Sequence, residues 1–504
     1  MFLHSAKKIV LISLMLSSAI TSAAVSAQSQ KNKEKELRYQ EVFYHFYRKD
    51  AFNALVNFNA GLHENKLPKN LNRNQLLLGS MYFMYDLDEL AESTFLQVIR
   101  SGVEPEQKAM AWYFLAKIYY KAENFRQLSE ALKKTKQHLP ESLQDERAYI
   151  LGMYYLKLRD LANAKSVLKT IDKNTFWYQM FQFNLGASYI KANLGDEGAD
   201  FIRDVGDSEQ ASDDMLALKD KSNIVLGYYF LRNKNSKDAI DVLENVRLSG
   251  PFSNKALLGL GWAYTEKQQF RKALIPWMAL TEKDPGQIAV QEALLAVPYA
   301  FMQLKAEDKS LELYKNSIDT YEAVKTEIDL SLGLAKKSSI FNVLLGDQSY
   351  DDFTISRKII EHKDSVEGRV LSDLLNDKEF QHMFSTYRDL KQLQSKLREW
   401  REQLRKMKIM LRAMPEDAGF ENERNPRSRT FTKDKRYYVE TVLTLDDRVK
   451  LQENRMTILL GMYDSFVQEH VVKALNKKRQ YIVTYLSQTR FAMAELLDKA
   501  QRLE

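Results

Sequence analysis

The chain has 504 residues, of which 45% are hydrophobic and 28% are charged, which is the balance of a folded protein and not of a disordered one. It contains 0 cysteines, which excludes disulfides, thiolate metal sites, cysteine nucleophiles and cysteine-borne lipid anchors. With 18 glycines and 9 prolines it has too few turn-forming residues for an all-β or α/β protein. The composition therefore predicts a mostly helical chain.

The first residues predict export. Two consecutive lysines precede an apolar run over residues 9–16, and the segment ends in the A-x-A-like sequence Val25-Ser26-Ala27. This order is typical of a secretory signal peptide over residues 1–27 with cleavage after Ala27, and a retained membrane anchor is the alternative. We therefore expect a periplasmic or secreted protein that is not a lipoprotein. An exported chain meets little nucleic acid, so its net charge of +7 does not predict nucleic-acid binding.

A repeat runs through the first three-fifths of the chain. Each unit has a small residue, then Tyr or Phe a turn later, a second small residue about three turns on, and a large apolar residue after that. From Gly79 the successive steps are 37, 36, 34, 41, 34 and 37 residues. The pattern predicts pairs of helices that cross closely at the small residues, and one pair cannot cover its own apolar face, so several must stack. The first small residues of the units are Gly79, Ala116, Gly152, Gly186, Gly227, Gly261 and, in a weaker seventh unit, Pro298.

This pattern resembles the tetratricopeptide repeat family over roughly residues 70 to 320. Residues 110–140 and 256–285 match nearly every key position of the family, including Trp112 in its early aromatic position. Other units are looser, because Ala199 stands one position late and Pro298 replaces a small residue. The resemblance implies an all-α fold, a right-handed α-solenoid with a concave groove that holds a peptide or a partner protein. The repeat count stays open.

In the family, the first helix of each pair lines the groove, which assigns a candidate partner-binding set here. Four of its basic members, Lys121, Lys157, Lys191 and Arg232, stand five positions after the small residue and alternate with aromatic side chains, which suits an acidic or carboxylate-ended segment, or an anionic glycan. The alternative is structural: the cations complement helix dipoles and the aromatic side chains fill the core between repeats. The set is Tyr113, Lys117, Tyr120, Lys121, Tyr149, Lys157, Phe183, Lys191, Tyr228, Arg232 and Trp262.

The last third of the chain has a different sequence pattern, which predicts a coiled-coil arm and not further repeats. We expect an N-terminal helical cap over 28–70, repeats over 71–324, a helical linker region over 325–376 and an antiparallel coiled-coil arm over 377–504. Apolar residues spaced alternately by three and four predict its two helices. The first seam comprises Leu390, Leu393, Leu397, Trp400, Leu404, Met407, Leu411 and Met414. The second comprises Val442, Leu445, Val449, Gln452, Met456, Leu459, Tyr463 and Phe466.

A polar connection over 415–436 predicts a turn, so that the two helices fold back as a hairpin within one chain. Pairing of the seams between two chains, which would give a homodimer, is the alternative. The connection is basic and is a candidate contact for anionic lipid head groups, an anionic glycan or an acidic partner, although a solvated tip would have the same composition. Its basic residues are Arg424, Arg427, Arg429, Lys433, Lys435 and Arg436.

Motifs for catalysis are absent from the sequence. The histidines are scattered singly, with no H-E-x-x-H, and neither G-x-S-x-G nor a glycine-rich phosphate loop occurs. We therefore expect a protein that is not an enzyme, needs no cofactor or metal, and acts as a scaffold or adaptor for a protein partner in a cell-envelope assembly. The alternatives are a self-associating coiled-coil structural subunit and a cell-wall polymer hydrolase on a helical solenoid.

Overall fold

The computed structural model describes residues 27–48, 50–63, 67, 71–208, 212–337, 378–414 and 435–503. Every regular element within these ranges is an α-helix, which confirms the predicted all-α class. The predicted signal peptide lies outside the described residues except for Ala27, where the first helix begins. Most of the predicted linker region also lies outside them.

Two compact units divide the chain, residues 1–268 and residues 269–504. The first unit contains thirteen described helices. They are α1 Ala27–Tyr47, α2 Ala51–His63, α3 Leu71–Met84, α4 Asp88–Arg100, α5 Pro105–Lys121, α6 Phe125–Lys134, α7 Glu141–Lys157, α8 Leu161–Leu168, α9 Phe176–Lys191, α10 Gly195–Gly206, α11 Asp213–Arg232, α12 Ser236–Leu243 and α13 Ser253–Glu266.

The second unit contains the five remaining described helices, two of which are much longer than the rest. They are α14 Phe270–Thr281, α15 Ile288–Gln303, α16 Glu307–Lys337, α17 Lys378–Ala413 and α18 Lys435–Leu503. With 69 residues, α18 is about 100 Å long at ~1.5 Å per residue.

The helices of the first unit pack as successive pairs, from α1 with α2 to α11 with α12. The pair α9 and α10 shows why the sequence requires small residues. A Cβ atom on Gly186 would lie 2.6 Å from the carbonyl oxygen of Gly198, and a Cβ on Gly198 would lie 2.6 Å from that of Gly186. The predicted close crossing is confirmed, but Gly198, and not the later Ala199, stands at it.

Short polar side chains start several second helices of the pairs. The carboxylate of Asp160 accepts a hydrogen bond from the backbone N–H of Asn163 at 3.1 Å at the start of α8. Asn124 and Asn235 hold the same position before α6 and α12 and accept from residues three positions later. These N-caps satisfy backbone donors that have no partner within the helix, so each second helix has a defined first residue.

Pro298 lies inside α15, where its ring nitrogen cannot donate to the carbonyl of Leu294. The hydroxyl of Ser317, on the neighbouring α16, donates to that carbonyl at 2.7 Å. The hydroxyl of Ser310 also donates to the carbonyl of Pro298 at 2.8 Å. Because another helix satisfies the freed acceptor, the seventh unit keeps a continuous first helix without a small residue at this position.

In the second unit, both α16 and α17 pack along α18. Between α16 and α18, the guanidinium of Arg479 donates to Asp329 at 2.6 Å. Between α17 and α18, Arg401 pairs with Glu453 and Lys408 with Asp446. Since the residue number rises along one helix while it falls along the other, α17 and α18 are antiparallel within one chain, as predicted.

The contact between α17 and α18 uses only part of the predicted seams. Leu397, Leu404, Val442 and Val449 form its core together. Several of the predicted seam residues are exposed instead. In α18 the residue after each exposed seam residue is more buried, for example Asp446 (6% exposed) after Leu445 and Leu460 (4% exposed) after Leu459. The second seam was therefore half wrong. The seam residues that are largely exposed are Trp400, Met407, Leu445, Gln452, Leu459 and Phe466.

Candidate functional site: a charged row along the repeat turns

From the pair α3 and α4 to the pair α15 and α16, each turn between the two helices contains one residue other than glycine in the left-handed region, with φ between 54° and 62°. Their numbers rise by 37, 36, 34, 41, 34 and 37, which is the stride of the small residues of the first helices. A structural feature and a sequence feature thus repeat in step. The turn residues are Asp86, Glu123, Arg159, Asn193, Lys234, Gln268 and Lys305.

Two of these turn residues, Asp86 and Glu123, pair with the last residue of the following first helix, which is where the predicted cations are. The ammonium of Lys121 pairs with Asp86 at 2.6 Å and with Asp88 at 2.8 Å. Partial burial lowers the pKa of Lys121, but hydrogen bonds to these carboxylates outweigh it and leave that pKa above its ordinary value. One repeat further, Lys157 pairs with Glu123, and this hydrogen bond raises the pKa of Lys157. The first two predicted cations therefore bridge successive repeats.

The next two cations have no such partner. The turn position of Glu123 is occupied one repeat later by Arg159, which cannot form an ion pair with Lys191. In the repeat after that it is occupied by Asn193, a neutral residue, before the helix that ends in Arg232. All three basic side chains are exposed, and within the described residues no ion pair involves any of them. We call Arg159, Lys191 and Arg232, with the neighbouring Leu158 and Leu194, the cationic stretch.

The two leucines make this stretch amphipathic. Leu158 is 48% exposed and precedes Arg159, and Leu194 is 44% exposed and immediately precedes α10. Exposed leucine side chains beside unpaired cations offer both apolar contact and charge to a bound segment. Beyond the stretch the pattern ends, because Glu266 is acidic and accepts a hydrogen bond from Ser236.

The inner members of the predicted groove set lie in the core between repeats. Tyr113, Lys117, Tyr149 and Phe183 are buried, with exposures of 5% or less. Burial raises the pKa of the Tyr113 phenol well above its ordinary value. In the structure these four side chains pack repeat against repeat, which is the structural role left open for them.

Lys117 has a partner that sequence reasoning missed. Its ammonium donates to Glu146 at 2.7 Å and lies 5.3 Å from the ring centroid of Tyr113. Glu146 belongs to α7, 29 residues away, and is 0% exposed. The equivalent positions of the neighbouring units are Met110 and Met180, so no recurrence in the sequence marks Glu146.

The remaining predicted groove residues are partly exposed. Tyr120 and Trp262 are half-buried, and Tyr228 is 38% exposed while its hydroxyl donates to the carbonyl of Lys255 at 3.0 Å. The structure therefore does not bring the predicted set together as one surface. It separates a buried inner row from an exposed row at the turns.

Most of the predicted basic tip lies outside the described residues. Arg424, Arg427, Arg429 and Lys433 belong to the part of the chain that is not described. Lys435 and Arg436 begin α18, and their side chains are not described either. A contact of this tip with lipid, glycan or protein stays a prediction.

The part of the chain that the structure describes contains neither a metal-binding cluster nor a membrane-spanning helix. In these ranges no three His, Asp or Glu side chains converge in a way that would hold a metal ion. No helix within the same ranges combines the length and the apolar character needed to cross a membrane.

No protein-family model matches the chain, and no curated protein sequence matches it. Several solved structures match it. RapI in its apo form is 13% identical and covers 68% of this chain and 97% of its own, with a TM-score of 0.41. A tetratricopeptide repeat protein from Parabacteroides merdae is 9% identical and covers 53% of this chain and 99% of its own, with a TM-score of 0.34. The quorum sensor NprR from B. thuringiensis is 11% identical and covers 58% of this chain and 99% of its own, with a TM-score of 0.31.

The fold itself supports the resemblance seen in the sequence. Helix pairs follow one another at a stride of 34 to 41 residues, with small residues at the crossing and one left-handed residue in each turn. The described repeats are tetratricopeptide-like helix pairs, followed by a long antiparallel helical hairpin.

Proposed function

We propose that this protein is a non-enzymatic scaffold of the cell envelope, and that its cationic stretch captures an acidic segment of a partner protein. The single observation that carries the proposal is the contrast along the row of turns. Lys121 and Lys157 are neutralised by carboxylates of the preceding repeat, whereas Lys191 and Arg232 are not. The same structural position thus supports the fold in two repeats and is open to a ligand in the next two.

The electrostatics of the stretch favour a carboxylate-rich ligand. Guanidinium and ammonium groups form charge-assisted hydrogen bonds with carboxylates, and guanidinium does so with two parallel donors. Arg159 and Lys191 occupy the two repeat positions that form an ion pair in the earlier repeats, and both are exposed cations here, so an anion could neutralise them. Because these charges are exposed, binding should weaken as salt screens them, with a Debye length of about 8 Å at physiological ionic strength.

The apolar part of the stretch favours a protein segment over a free anion or an anionic glycan. Leu158 and Leu194 are each nearly half exposed, and an apolar side chain of a bound segment would cover them. A segment with acidic and apolar residues in alternation would satisfy both halves of the surface. The signal-like first residues supply the reason to place this capture outside the cytoplasm, in the periplasm or an equivalent compartment.

Site-specific photocross-linking in the native envelope tests the proposal. A photoreactive residue at Leu194 should give discrete protein adducts, whereas the same residue at Leu248, which is 68% exposed elsewhere in the first unit, should not. The charge-reversed variant Lys191→Glu/Arg232→Glu should lower the yield at Leu194 about tenfold or more, because two charge-assisted contacts are lost.

The matched control reverses two cations that also end a helix. Lys133 and Lys134 lie exposed in the last turn of α6, so Lys133→Glu/Lys134→Glu imposes the same dipole penalty without touching the cationic stretch. This control should retain the adducts. If adducts persist in Lys191→Glu/Arg232→Glu, or disappear equally in both variants, the proposed site is wrong.

A further inference from the structure

The long helix α18 carries an exposed apolar stripe on the side away from its contacts within the chain. Its members lie between 41% and 65% exposed, although residues on the opposite side, such as Val449 and Leu460, are buried against other helices. Monomeric soluble proteins rarely expose apolar side chains in such a contiguous row. The stripe comprises Leu451, Ile458, Leu459, Met462 and Phe466.

Helical geometry places these five residues on one face. Leu451, Ile458 and Met462 follow one another at spacings of seven and four, and Leu459 and Phe466 run beside them at a spacing of seven. The stripe covers 16 residues, about 24 Å of helix. It has the width and the repeat that a second helix needs to pack against it.

We propose that the stripe is the interface of a homodimer, in which α18 of one protomer packs antiparallel against α18 of a second copy. A two-fold axis between Ile458 and Leu459 places Leu451 of one protomer opposite Phe466 of the other. Ile458 then faces Leu459, and Met462 faces the aliphatic stem of Arg455, so four of the five stripe residues lie opposite another stripe residue. An interface of this kind is isologous and closes on two copies.

The charges that flank the stripe fit the same register. Arg448 stands opposite Glu469, and Glu440, further out, stands opposite Lys477. All four side chains are exposed in the single chain. Shifting the register by seven residues, so that the axis passes through Arg455, would bring the two Arg455 side chains together. Charge complementarity of this type sets the orientation and register of helix pairs more than their affinity.

The self-pairing surface shares only Leu459 and Phe466 with the second seam predicted from the sequence, which was the candidate contact for a homodimer. Val442 and Val449 of that seam pack against α17 of the same chain. The stripe adds Leu451, Ile458 and Met462, which the seam did not include. The dimer is independent of the proposed capture of an acidic segment, because every residue it uses belongs to α18.

Light scattering on the full mature chain over a wide concentration range tests the proposal. The wild type should be a dimer that dissociates on dilution, and Ile458→Glu should be a folded monomer. Ile409→Glu is the matched control, since Ile409 is an equally exposed isoleucine on α17 and should leave the dimer intact. A monomeric wild type overturns the proposal. If Ile458→Glu also unfolds that monomer, a segment of the same chain covers the stripe instead.

Charge exchange distinguishes a second copy from any other partner. Arg448→Glu and Glu469→Arg should each weaken the dimer, whereas the double variant Arg448→Glu/Glu469→Arg should restore it, because both members of the pair are then exchanged. Mixing the two single variants should give a heterodimer in preference to either homodimer. If the double variant is as weak as the single ones, the antiparallel register is wrong.

Introduced cysteines define the orientation, since the chain has 0 of its own. Leu451→Cys and Phe466→Cys should form a disulfide when the two variants are mixed, and neither should cross-link efficiently with itself. Self-linking of Leu451→Cys would indicate a parallel pair and would overturn the antiparallel one.

Discussion

Lys117 and Glu146 form an ion pair in the core between two repeats, with 2.7 Å between the ammonium nitrogen and a carboxylate oxygen and side-chain exposures of 5% and 0%. The second carboxylate oxygen of Glu146 is buried without a hydrogen-bond partner in the described residues. The ring of Phe83 lies 5.6 Å from the same ammonium. The charge on each residue is therefore compensated almost entirely by the other.

The first prediction concerns removal of one partner. Lys117→Met should lower the free energy of unfolding by about 3–5 kcal/mol, because it leaves the carboxylate of Glu146 buried and uncompensated. The double variant Lys117→Met/Glu146→Leu should recover most of this loss, since a buried ion pair contributes little compared with well-packed apolar side chains. Urea unfolding of the four proteins gives the coupling free energy directly. A single variant that loses less than about 1 kcal/mol would show that water or another group reaches Glu146.

The second prediction concerns the crossing of α9 and α10. Gly186→Ala should destabilise the protein by about 1–3 kcal/mol or more, because the added Cβ would lie 2.6 Å from a backbone carbonyl oxygen that cannot rotate away. Gly333→Ala is the matched control, since a Cβ there would meet no described atom within 4 Å. It should stabilise its helix by about 0.5–1 kcal/mol. Equal effects of the two changes on thermal unfolding would mean that the crossing adapts freely.

These residues show how far the sequence predicts the fold. The stride was readable because the small residues and the turns repeat locally, at Gly79 as at Gly186. The burial of Lys117 was not readable, because it depends on Glu146 in the next repeat. Likewise the predicted seam of α18 included Leu459, which is exposed, and omitted Asp446, which is buried. The spacing of hydrophobic residues does not predict a buried carboxylate. Asp446 can lie at the contact between α17 and α18 because Lys408 and Lys450 pair with it.

The cationic stretch shows the same limit at the candidate site. The recurrence of Lys121, Lys157, Lys191 and Arg232 was visible in the sequence. Which of these cations is already paired was not, because each partner lies in the turn of the preceding repeat, some 35 residues earlier. A cation is paired when the turn of the preceding repeat has a carboxylate, as for Lys121 and Lys157, and is open to a ligand when it does not.

The third prediction concerns acid stability of the hairpin. Hydrogen bonds from Lys408 and Lys450 hold the pKa of Asp446 below its ordinary value. A carboxyl group whose folded-state pKa is depressed contributes stability above its unfolded-state pKa, near ~4, and loses that contribution as the pH falls through the folded-state pKa. Asp446→Asn should therefore flatten the fall in hairpin stability below about pH 4.

Thermal unfolding of both proteins between about pH 6 and pH 3, followed by circular dichroism, measures this slope. Asp447→Asn is the matched control, because the neighbouring carboxylate is 80% exposed and its nearest lysine nitrogen is 3.7 Å away. It should keep the wild-type slope. If Asp446→Asn keeps that slope as well, the two lysines do not stabilise the carboxylate in solution.

The fourth prediction concerns Pro298 and Ser317, whose coupling follows from one backbone acceptor. Ser317→Ala should lower the free energy of unfolding by about 1–3 kcal/mol. The change removes the hydroxyl on α16 that donates to the carbonyl of Leu294 on α15. In the background of Pro298→Ala the same change should cost much less, since an alanine N–H at 298 can donate to Leu294 along its own helix. Chemical unfolding of the two single variants and the double variant completes the cycle. Additive losses would mean that the serine acts through packing and not through the acceptor that proline leaves open.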